Sequence, residues 1–333
     1  MTRRFARAAA GSSVRMVRLG YALSSEEHPP ADLVSQARRA EEAGFGFALV
    51  SDHFHPWIDR QGQSPFVWSV LGAIAEATDR IELGTGVTCP TMRIHPAIVA
   101  QAAATTAALM PGRFFLGVGT GENLNEHVLG MRWPSADIRR EMLEEALEVI
   151  RALWTGELTT HRGRWYHVED ARLYTLPERP PPIAVAAGGP KAAELAGRVG
   201  DALVSTSPDG TLVESYRSAG GKGACYGQLT VCVAATEDEG KRIAHEWWPN
   251  AALPSPLGQE LAQPAHFEAA AGTVTPESVA ETVVCGADAG RHREAIEGYV
   301  AAGFDHVYVH QVGPDQESFF RLYEDALLPA LAD

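Results

Sequence analysis

Short apolar segments alternate with amphipathic segments along almost the whole 333-residue chain, and this rhythm restricts the possible folds more than any other feature. Regular alternation of strand-like and helix-like segments predicts an α/β fold, with a parallel sheet covered by helices. Eight such units favour a closed (β/α)8 TIM barrel over an open doubly wound sheet. The predicted strands are Val17–Leu23, Phe47–Ser51, Ile81–Thr85, Arg113–Val118, Ile183–Ala186, Ala202–Ser205, Gln228–Ala234 and His306–His310.

The segments between these strands contain predicted helices and two longer insertions. No Gly-x-Gly-x-x-Gly motif follows the first strand, which weakens a Rossmann interpretation. The Pro-rich segment Thr155–Pro182 is predicted to be mainly loop, and the irregular segment Glu239–Ala271 is predicted to be an insertion at the C-terminal mouth. Residues 1–15 are predicted to be a disordered extension, followed by a single barrel domain at 16–333. The predicted helices are Pro29–Ala43, Ser69–Ala77, Pro96–Met110, Asp137–Leu153 and Pro190–Val199.

Composition narrows the class of partner. The chain has 28 Lys and Arg against 42 Asp and Glu, a net charge of -14, and no block of basic residues. This charge disfavours nucleic acid and anionic membrane surfaces and favours a small-molecule partner. The four cysteines form no CxxC or CxxH pair, which predicts no metal site, no disulfide and a cytoplasmic location. No apolar run approaches the roughly 20 residues of a membrane span.

Polar residues follow the second predicted strand, at the end of a barrel strand where active sites are built. The segment Ser51–Trp57 contains His53 directly after Asp52. A histidine in this place can act as a general base near neutral pH, and an adjacent carboxylate can fix its tautomer. Trp57 can exclude water from such a site. A pair of polar loop residues with a packing tryptophan is the competing interpretation.

Glycine-rich segments follow the third and fourth predicted strands, at Leu83–Pro90 and Leu116–Glu126. Glycines allow the backbone to approach a flat ligand closely. The second segment reads as a wall carrying one carboxylate, Glu122, and one amide, Asn125. A carboxyl that a ring system partly buries can act as an acid. Ordinary glycine turns and a surface glutamate are the competing interpretations.

A fourth segment, Ala186–Lys191, joins the fifth predicted strand to a helix. Its small residues leave backbone N–H groups and a helix N-terminus free to hold a phosphate. Each of the four segments has an unremarkable interpretation by itself. Their joint position at strand ends of one barrel indicates an active site.

Together these segments resemble the luciferase-like, F420-dependent oxidoreductases, and among them most of all the F420-dependent glucose-6-phosphate dehydrogenase group. The resemblance runs from about Leu19 to Leu331 and implies a bacterial luciferase-type TIM barrel, usually a homodimer, with the deazaflavin F420 at the C-terminal mouth. It implies that His53 is the base for a substrate hydroxyl and that Glu122 is the proton donor to the deazaflavin. Trp57 and Glu26 match two further catalytic positions of the family.

The resemblance also implies which residues contact the ligands. The family usually has a non-proline cis peptide behind the deazaflavin ring, and the matching bond is Gly86–Val87. Thr206 and Trp248 match substrate-binding positions. The implied cofactor-binding residues are Asp52, Gly86, Val87, Thr120, Gly121, Asn125, Ala186, Ala187, Gly188 and Gly189.

The sequence departs from the sugar-phosphate enzymes at their phosphate-binding residues. Those enzymes hold the phosphate with a Thr, two Lys and an Arg. Here Thr206 is present, Asp209 replaces one Lys, Ser255–Glu260 contains no Lys, and Thr282 lies where the Arg is expected. Acidic residues near a dianionic phosphate would repel it. The sequence therefore predicts an F420-dependent dehydrogenase or reductase acting on an uncharged alcohol or carbonyl compound.

Three alternatives remain open from sequence. They are an F420-dependent glucose-6-phosphate dehydrogenase proper, an FMN-dependent luciferase-like monooxygenase, and a non-catalytic carrier of F420. The sequence does not fix the direction of hydride transfer, because one acid and one base serve both directions.

Overall fold

Eight parallel strands close into a barrel in the computed structural model, which describes residues 17–331. The order around the ring is β1, β2, β3, β4, β7, β8, β9 and β11, and β11 pairs with β1 to close it. The predicted TIM barrel is therefore confirmed. The strands are β1 (Arg18–Leu23), β2 (Phe47–Val50), β3 (Glu82–Thr85), β4 (Phe114–Val118), β5 (Thr159–Arg162), β6 (His167–Ala171), β7 (Ile183–Ala186), β8 (Ala202–Ser205), β9 (Cys225–Cys232), β10 (Val284–Cys285) and β11 (His306–Gln311).

Helices connect consecutive barrel strands and cover the outside of the ring. Several begin at a proline in the first turn, where the missing N–H group costs no hydrogen bond. The helices are α1 (Pro30–Ala43), α2 (Val67–Ala77), α3 (Pro96–Leu109), α4 (Asn123–Glu126), α5 (Ala136–Leu153), α6 (Pro190–Val199), α7 (Gly210–Ser218), α8 (Glu237–Trp247), α9 (Leu257–Glu260), α10 (Pro264–Ala270), α11 (Pro276–Val279), α12 (Ala289–Ala301), α13 (Gln316–Leu322) and α14 (Leu328–Leu331).

Aromatic rings fill the lower part of the barrel interior. Phe115 stacks on Tyr226 with 5.1 Å between ring centroids, and Phe47 packs edge-on against Tyr226 at 5.3 Å. The Phe115 ring occupies the space that a Cβ on Gly84 would need, so this strand position requires glycine. Because Phe47 and Phe115 come early in their strands, these packed rings lie toward the N-terminal end of the barrel. The C-terminal end is left open for a site.

The structure differs from the sequence-based expectations in four places. The Thr155–Pro182 segment, predicted to be mainly loop, contains the antiparallel hairpin of β5 and β6. The Glu239–Ala271 segment, predicted to be irregular, lies largely in helices, of which α8 is the longest. The strand predicted at Gln228–Ala234 is β9, which begins and ends earlier, and the short strand β10 was not predicted. The predicted N-terminal extension lies outside the described residues.

Among residues 17–331, no helix is long and apolar enough to cross a membrane.

Candidate active site

A cavity of about 260 Å³ opens at the C-terminal ends of the barrel strands. All eight barrel strands, or the loops that follow them, contribute to its wall, as in TIM-barrel enzymes. Most of the site residues predicted from the sequence meet here. Those in the wall are Glu26, His53, Trp57, Gly86, Val87, Glu122, Ala186, Ala187, Gly188, Thr206 and Trp248.

Five predicted cofactor-binding residues lie outside this wall. Asp52 and Asn125 are buried behind it and hold its loops together. Thr120 and Gly121 precede Glu122 in the loop after β4, and Gly189 is the residue before α6. Their contact with a cofactor stays a prediction.

His53 and Glu26 form a pair inside the cavity. His53 Nε2 lies 3.3 Å from Glu26 Oε1, and the two side chains are 10% and 4% exposed. The other ring nitrogen, Nδ1, lies 3.2 Å from the carbonyl oxygen of His55. Because a carbonyl oxygen only accepts hydrogen bonds, Nδ1 carries a proton in this contact. Nε2 is therefore the nitrogen that can take up a further proton, next to a carboxylate that stabilises the resulting cation.

The Glu26 carboxyl is prepared to be an anion despite its burial. Burial has the largest single effect and would raise the pKa of Glu26, but His53 and the hydroxyl of Ser51 outweigh it and lower that pKa. Ser51 Oγ donates to Glu26 Oε2 at 2.6 Å, and Ser24 Oγ lies 3.1 Å from the same oxygen. The two hydroxyl groups stabilise the charged form, and His53 does so once its ring carries a second proton.

Trp57 connects the His53 loop to the insertion after β9. Its ring lies 5.0 Å from the His53 ring and packs edge-on against Phe267 of α10 at 5.2 Å. Phe267 is fully buried, in a small apolar cluster with Ile58 and Leu124. The insertion therefore covers the side of the cavity next to His53 and limits the access of water.

Asp52 does not contact the adjacent His53. Its carboxylate accepts a hydrogen bond from Arg93 Nη2 at 2.7 Å and another from Thr88 Oγ1 at 2.7 Å. The carboxylate that contacts His53 is Glu26, which follows β1, so the expectation that the neighbouring carboxylate orients the ring is corrected. Successive side chains point in different directions, and adjacency along the chain did not bring these two together.

A second buried carboxyl, Glu126, lies next to Arg93 and was not predicted from the sequence. Arg93 Nε is 3.5 Å from Glu126 Oε1, and the Arg93 backbone N–H donates to Glu126 Oε2 at 2.8 Å. Burial raises the pKa of Glu126 to about 7 and outweighs the opposing effect of Arg93. The single Arg93 guanidinium is shared with Asp52, so its effect on Glu126 is smaller than that of burial.

Glu122 lies in the cavity wall and is tied to the loops behind it. Asn125 Nδ2 donates to Glu122 Oε2 at 3.3 Å. The Asn125 carbonyl oxygen accepts from the backbone N–H groups of Phe54 and His55 at 2.9 and 3.2 Å. One amide side chain thus connects the loop carrying His53 to the loop carrying Glu122.

Small residues form another part of the cavity wall. The peptide bond between Gly86 and Val87 is cis, as the family resemblance implied. A Cβ on Gly119 would come within 2.7 Å of Val87, so a larger residue there would displace this part of the wall. Gly188 has no atom within 4 Å of where its Cβ would be, which leaves open space above α6.

Cationic side chains are absent from the wall of this cavity: none of the residues of 17–331 that line it is Lys or Arg. Asp209 caps the N-terminus of α7 and accepts from Thr211 N at 2.9 Å. Arg291, which does not line the cavity, pairs with Glu237 at 2.8 Å. Thr206 is exposed at the rim.

A second histidine and carboxylate lie in the same cavity region and were also missed. His310 Nε2 is 2.8 Å from Glu27 Oε2, and both side chains are at most 3% exposed. Trp248 packs edge-on against the His310 ring at 4.4 Å. The available signals were the Glu26-Glu27 dipeptide after β1 and a histidine near the end of the last strand.

Comparison with known proteins decides the family. Residues 12–306 match the model of the luciferase-like monooxygenase family. The chain belongs to this family.

Within the described residues 17–331, no group of three or more His, Cys, Asp or Glu side chains is arranged to hold a metal ion.

Similar proteins extend over nearly the whole chain. An F420-dependent glucose-6-phosphate dehydrogenase of Beutenbergia cavernae is 39% identical, over 95% of this chain and 98% of its own length. The enzyme of the same name from Intrasporangium calvum is 37% identical, over 95% and 99%. The solved structure of an F420-dependent secondary alcohol dehydrogenase with an F420-acetone adduct superposes with a TM-score of 0.88. It is 32% identical, over 95% of this chain and 99% of that chain.

Proposed function

We propose that this protein is an F420-dependent oxidoreductase that transfers a hydride between the cofactor and a small uncharged alcohol or the corresponding carbonyl compound. The observation that supports this proposal most directly is the His53–Glu26 pair, in a cavity whose wall has no Lys or Arg among the described residues. The similar proteins named above, which are F420-dependent by name, support the cofactor.

The walls of the cavity fit a flat cofactor. Gly86, Val87 and the Ala186–Gly188 turn provide a smooth surface with little side-chain bulk. We assign these residues to holding F420, with the backbone before α6 facing its phosphate. When bound, F420 accepts or supplies a hydride, and the protein provides orientation and charge stabilisation.

His53 and Glu122 have distinct roles in this proposal. His53 Nε2 takes the proton of the alcohol, and ionised Glu26 stabilises the imidazolium that results. Glu122, held by Asn125, supplies or stabilises a proton at the cofactor. Trp57 excludes water from the pair. In the reverse direction His53 would return its one proton to the carbonyl oxygen, and Glu122 would take back the proton given to the cofactor.

The charges of the cavity favour an uncharged substrate over a sugar phosphate. Glu26 and Glu122 are the acidic residues of the wall, and no described cation faces them there. A dianionic phosphate near the rim would meet Asp209 instead of a lysine. Without cationic partners, taking such a group out of water is costly.

The test is turnover of F420 with a panel of alcohols. The visible absorbance of oxidised F420 is followed with 2-propanol, longer secondary alcohols and glucose 6-phosphate. We expect turnover of the neutral alcohols, reduced about 10²- to 10⁴-fold by His53→Ala with unchanged F420 binding. His95→Asn is the matched control, since His95 caps α3 outside the cavity and Asn is also a good cap.

Three outcomes would contradict parts of the proposal. Rapid turnover of glucose 6-phosphate that Thr206→Ala abolishes would support a glucose-6-phosphate dehydrogenase. Binding of FMN but not F420 would support a monooxygenase. Bound F420 with no turnover of any substrate, in the wild type and in His53→Ala alike, would support a carrier.

We also propose a homodimer and a cytoplasmic location. Ile98 and Leu109 lie three turns apart on α3, and with Phe66 before α2 they are each more than half exposed. We expect light scattering to give twice the 35.7 kDa chain mass, and Ile98→Glu to give the single mass. Leu158→Glu, at a more exposed position just before β5, should leave the dimer intact. The four buried free cysteines suit a reducing compartment.

A further inference from the structure

We propose that His310, held by Glu27, is a second substrate-positioning residue that binds a hydroxyl group other than the reacting one. The substrate class is then a diol or a hydroxy-carbonyl compound. This inference rests on the proposed function, because it concerns the same cavity and narrows its substrate.

The arrangement of strands produces two histidine–carboxylate pairs side by side. β1 lies between β2 and β11 in the ring. The loop after β1 carries Glu26 and Glu27; Glu26 contacts His53 from the β2 side, and Glu27 contacts His310 from the β11 side. His53 and His310 both line the cavity. A ligand in the cavity can therefore meet both imidazoles.

The hydrogen bonds of Glu27 fix which nitrogen of His310 is free. Glu27 Oε2 accepts from His310 Nε2 at 2.8 Å, and Glu27 Oε1 accepts from the Gly313 backbone N–H at 2.9 Å. A carboxylate only accepts, so Nε2 carries a proton, and when the ring is neutral Nδ1 presents a lone pair. Among the described residues, Nδ1 is buried and has no hydrogen-bond partner.

His310 lines the cavity, and its Nδ1 is a buried nitrogen without a partner among the described residues, which indicates a place for a ligand group. Buried polar atoms almost always have a partner, and leaving one without costs free energy. The ring itself cannot turn away, because Glu27 holds one edge and Trp248 packs against it at 4.4 Å. A lone pair requires a donor. A hydroxyl group supplies one, whereas a ketone oxygen does not.

Two roles follow for the two pairs. His53 takes the proton of the hydroxyl that is oxidised, and His310 accepts a hydrogen bond from the second hydroxyl. Because His310 acts on a group that does not react, it is a positioning residue and should affect selectivity between substrates more than the chemical step.

The experiment compares diols with alcohols of equal carbon number. We measure kcat/KM with F420 for 1,2-propanediol against 2-propanol, and for 1,3-butanediol against 2-butanol. For at least one pair, kcat/KM of the diol should exceed that of the alcohol about tenfold, which corresponds to the free energy of one buried hydrogen bond. His310→Gln keeps a group near Glu27 and lacks Nδ1, so the preference should fall to about one. His310→Asn keeps an acceptor near the Nδ1 position and should retain part of it.

His28→Gln is the matched control. His28 is a buried histidine of the same loop with an unpartnered Nε2, but it does not line this cavity. It should leave the ratio of diol to alcohol unchanged. A wild-type ratio near one for both pairs, or a ratio that survives His310→Gln, would overturn the proposal.

A binding measurement separates this proposal from the proposed function. Calorimetric titration of each diol and alcohol is made into the protein alone and into the protein with reduced F420, which cannot accept a hydride. Tighter binding of a diol that His310→Gln removes supports the inference even if no alcohol is oxidised. Turnover of alcohols with diol binding independent of His310 leaves the proposed function standing and refutes the inference.

Discussion

At the scale of single residues, Glu126 is a buried carboxyl whose pKa is raised strongly by its surroundings. Burial raises its pKa to about 7, while Arg93 on one side and the carboxylates of Asp52 and Glu122 act in opposite directions. Cys89 also faces it from the loop after β3. Because the folded-state pKa lies above the ordinary value of 4.5, this group favours the folded state most at low pH. That contribution is lost as the pH rises from 4.5 through 7.

We therefore predict that Glu126→Gln removes part of the pH dependence of stability. The variant keeps an acceptor for the Arg93 backbone and never ionises. When the pH rises from 5 to 8, the free energy of unfolding of the wild type should fall by about 2 to 3 kcal/mol more than that of the Glu126→Gln variant. Urea denaturation at both pH values measures this difference. Glu148→Gln, on the exposed side of α5, is the control, and its unfolding free energy should change with pH as that of the wild type does. The same wild-type pH dependence in Glu126→Gln would contradict the prediction.

The sequence predicted residues better than it predicted their partners. His53, Glu122 and Trp57 were singled out because they follow strands, and the structure brings them to one cavity. It did not reveal that Asp52 contacts Arg93, or that Glu126 is buried. Such contacts join separate loops and depend on side-chain direction, which spacing along one strand or loop does not determine.

At the scale of secondary-structure elements, two helical glycines differ in what surrounds them. A Cβ on Gly197 of α6 would overlap the backbone oxygen of Tyr216 in α7, so this glycine permits the close approach of the two helices. Gly298 of α12 is exposed and has nothing within 4 Å of a Cβ. One substitution should consequently have opposite effects at the two positions.

We predict that Gly298→Ala stabilises the protein by about 0.5 to 1 kcal/mol, because alanine favours the helix over the unfolded chain. Gly197→Ala should destabilise it by about 1 to 3 kcal/mol, because α7 must move. Thermal or urea unfolding of the two variants measures both effects. Stabilisation of both would show that α6 and α7 separate at little cost, and would contradict the packing described above.

Local sequence patterns predicted some elements at their observed ends and gave no signal for others. The predicted helix Pro190–Val199 matches α6 at both ends. The hairpin of β5 and β6 has mainly polar, partly exposed strands, so no alternation of apolar residues marks it. β10 is only two residues long and depends on pairing with β9. Its formation is decided by tertiary contacts and leaves no local pattern.

At the scale of the whole molecule, the count of β-α units was enough to predict closure of the barrel. Each unit buries its strand on both sides, and eight units leave no free edge. The position of the cavity followed from the same fact, because a barrel offers one open C-terminal mouth. The pairing of Glu27 with His310 also depends on closure, since it joins the first strand's loop to the last strand.

Binding of the cofactor should stabilise this whole barrel, because loops from all its strands line one cavity. At F420 concentrations of 100 times Kd, linkage predicts about 2.7 kcal/mol of added stability. For a chain of this size that raises Tm by roughly 3 to 5 °C. FMN at the same concentration should give no comparable rise, and a rise with FMN alone would favour the monooxygenase alternative.

Two adjacent glycines make this measurement specific to the site. A Cβ on Gly188 or on Gly189 would meet no atom within 4 Å, so we expect neither substitution to disturb folding. Only Gly188 lines the cavity. We predict that Gly188→Leu keeps the Tm of the unliganded protein but abolishes its rise with F420, whereas Gly189→Leu retains the rise. Loss of the rise in both variants would mean that the turn before α6 acts through its backbone, and retention in both would place the cofactor elsewhere in the barrel mouth.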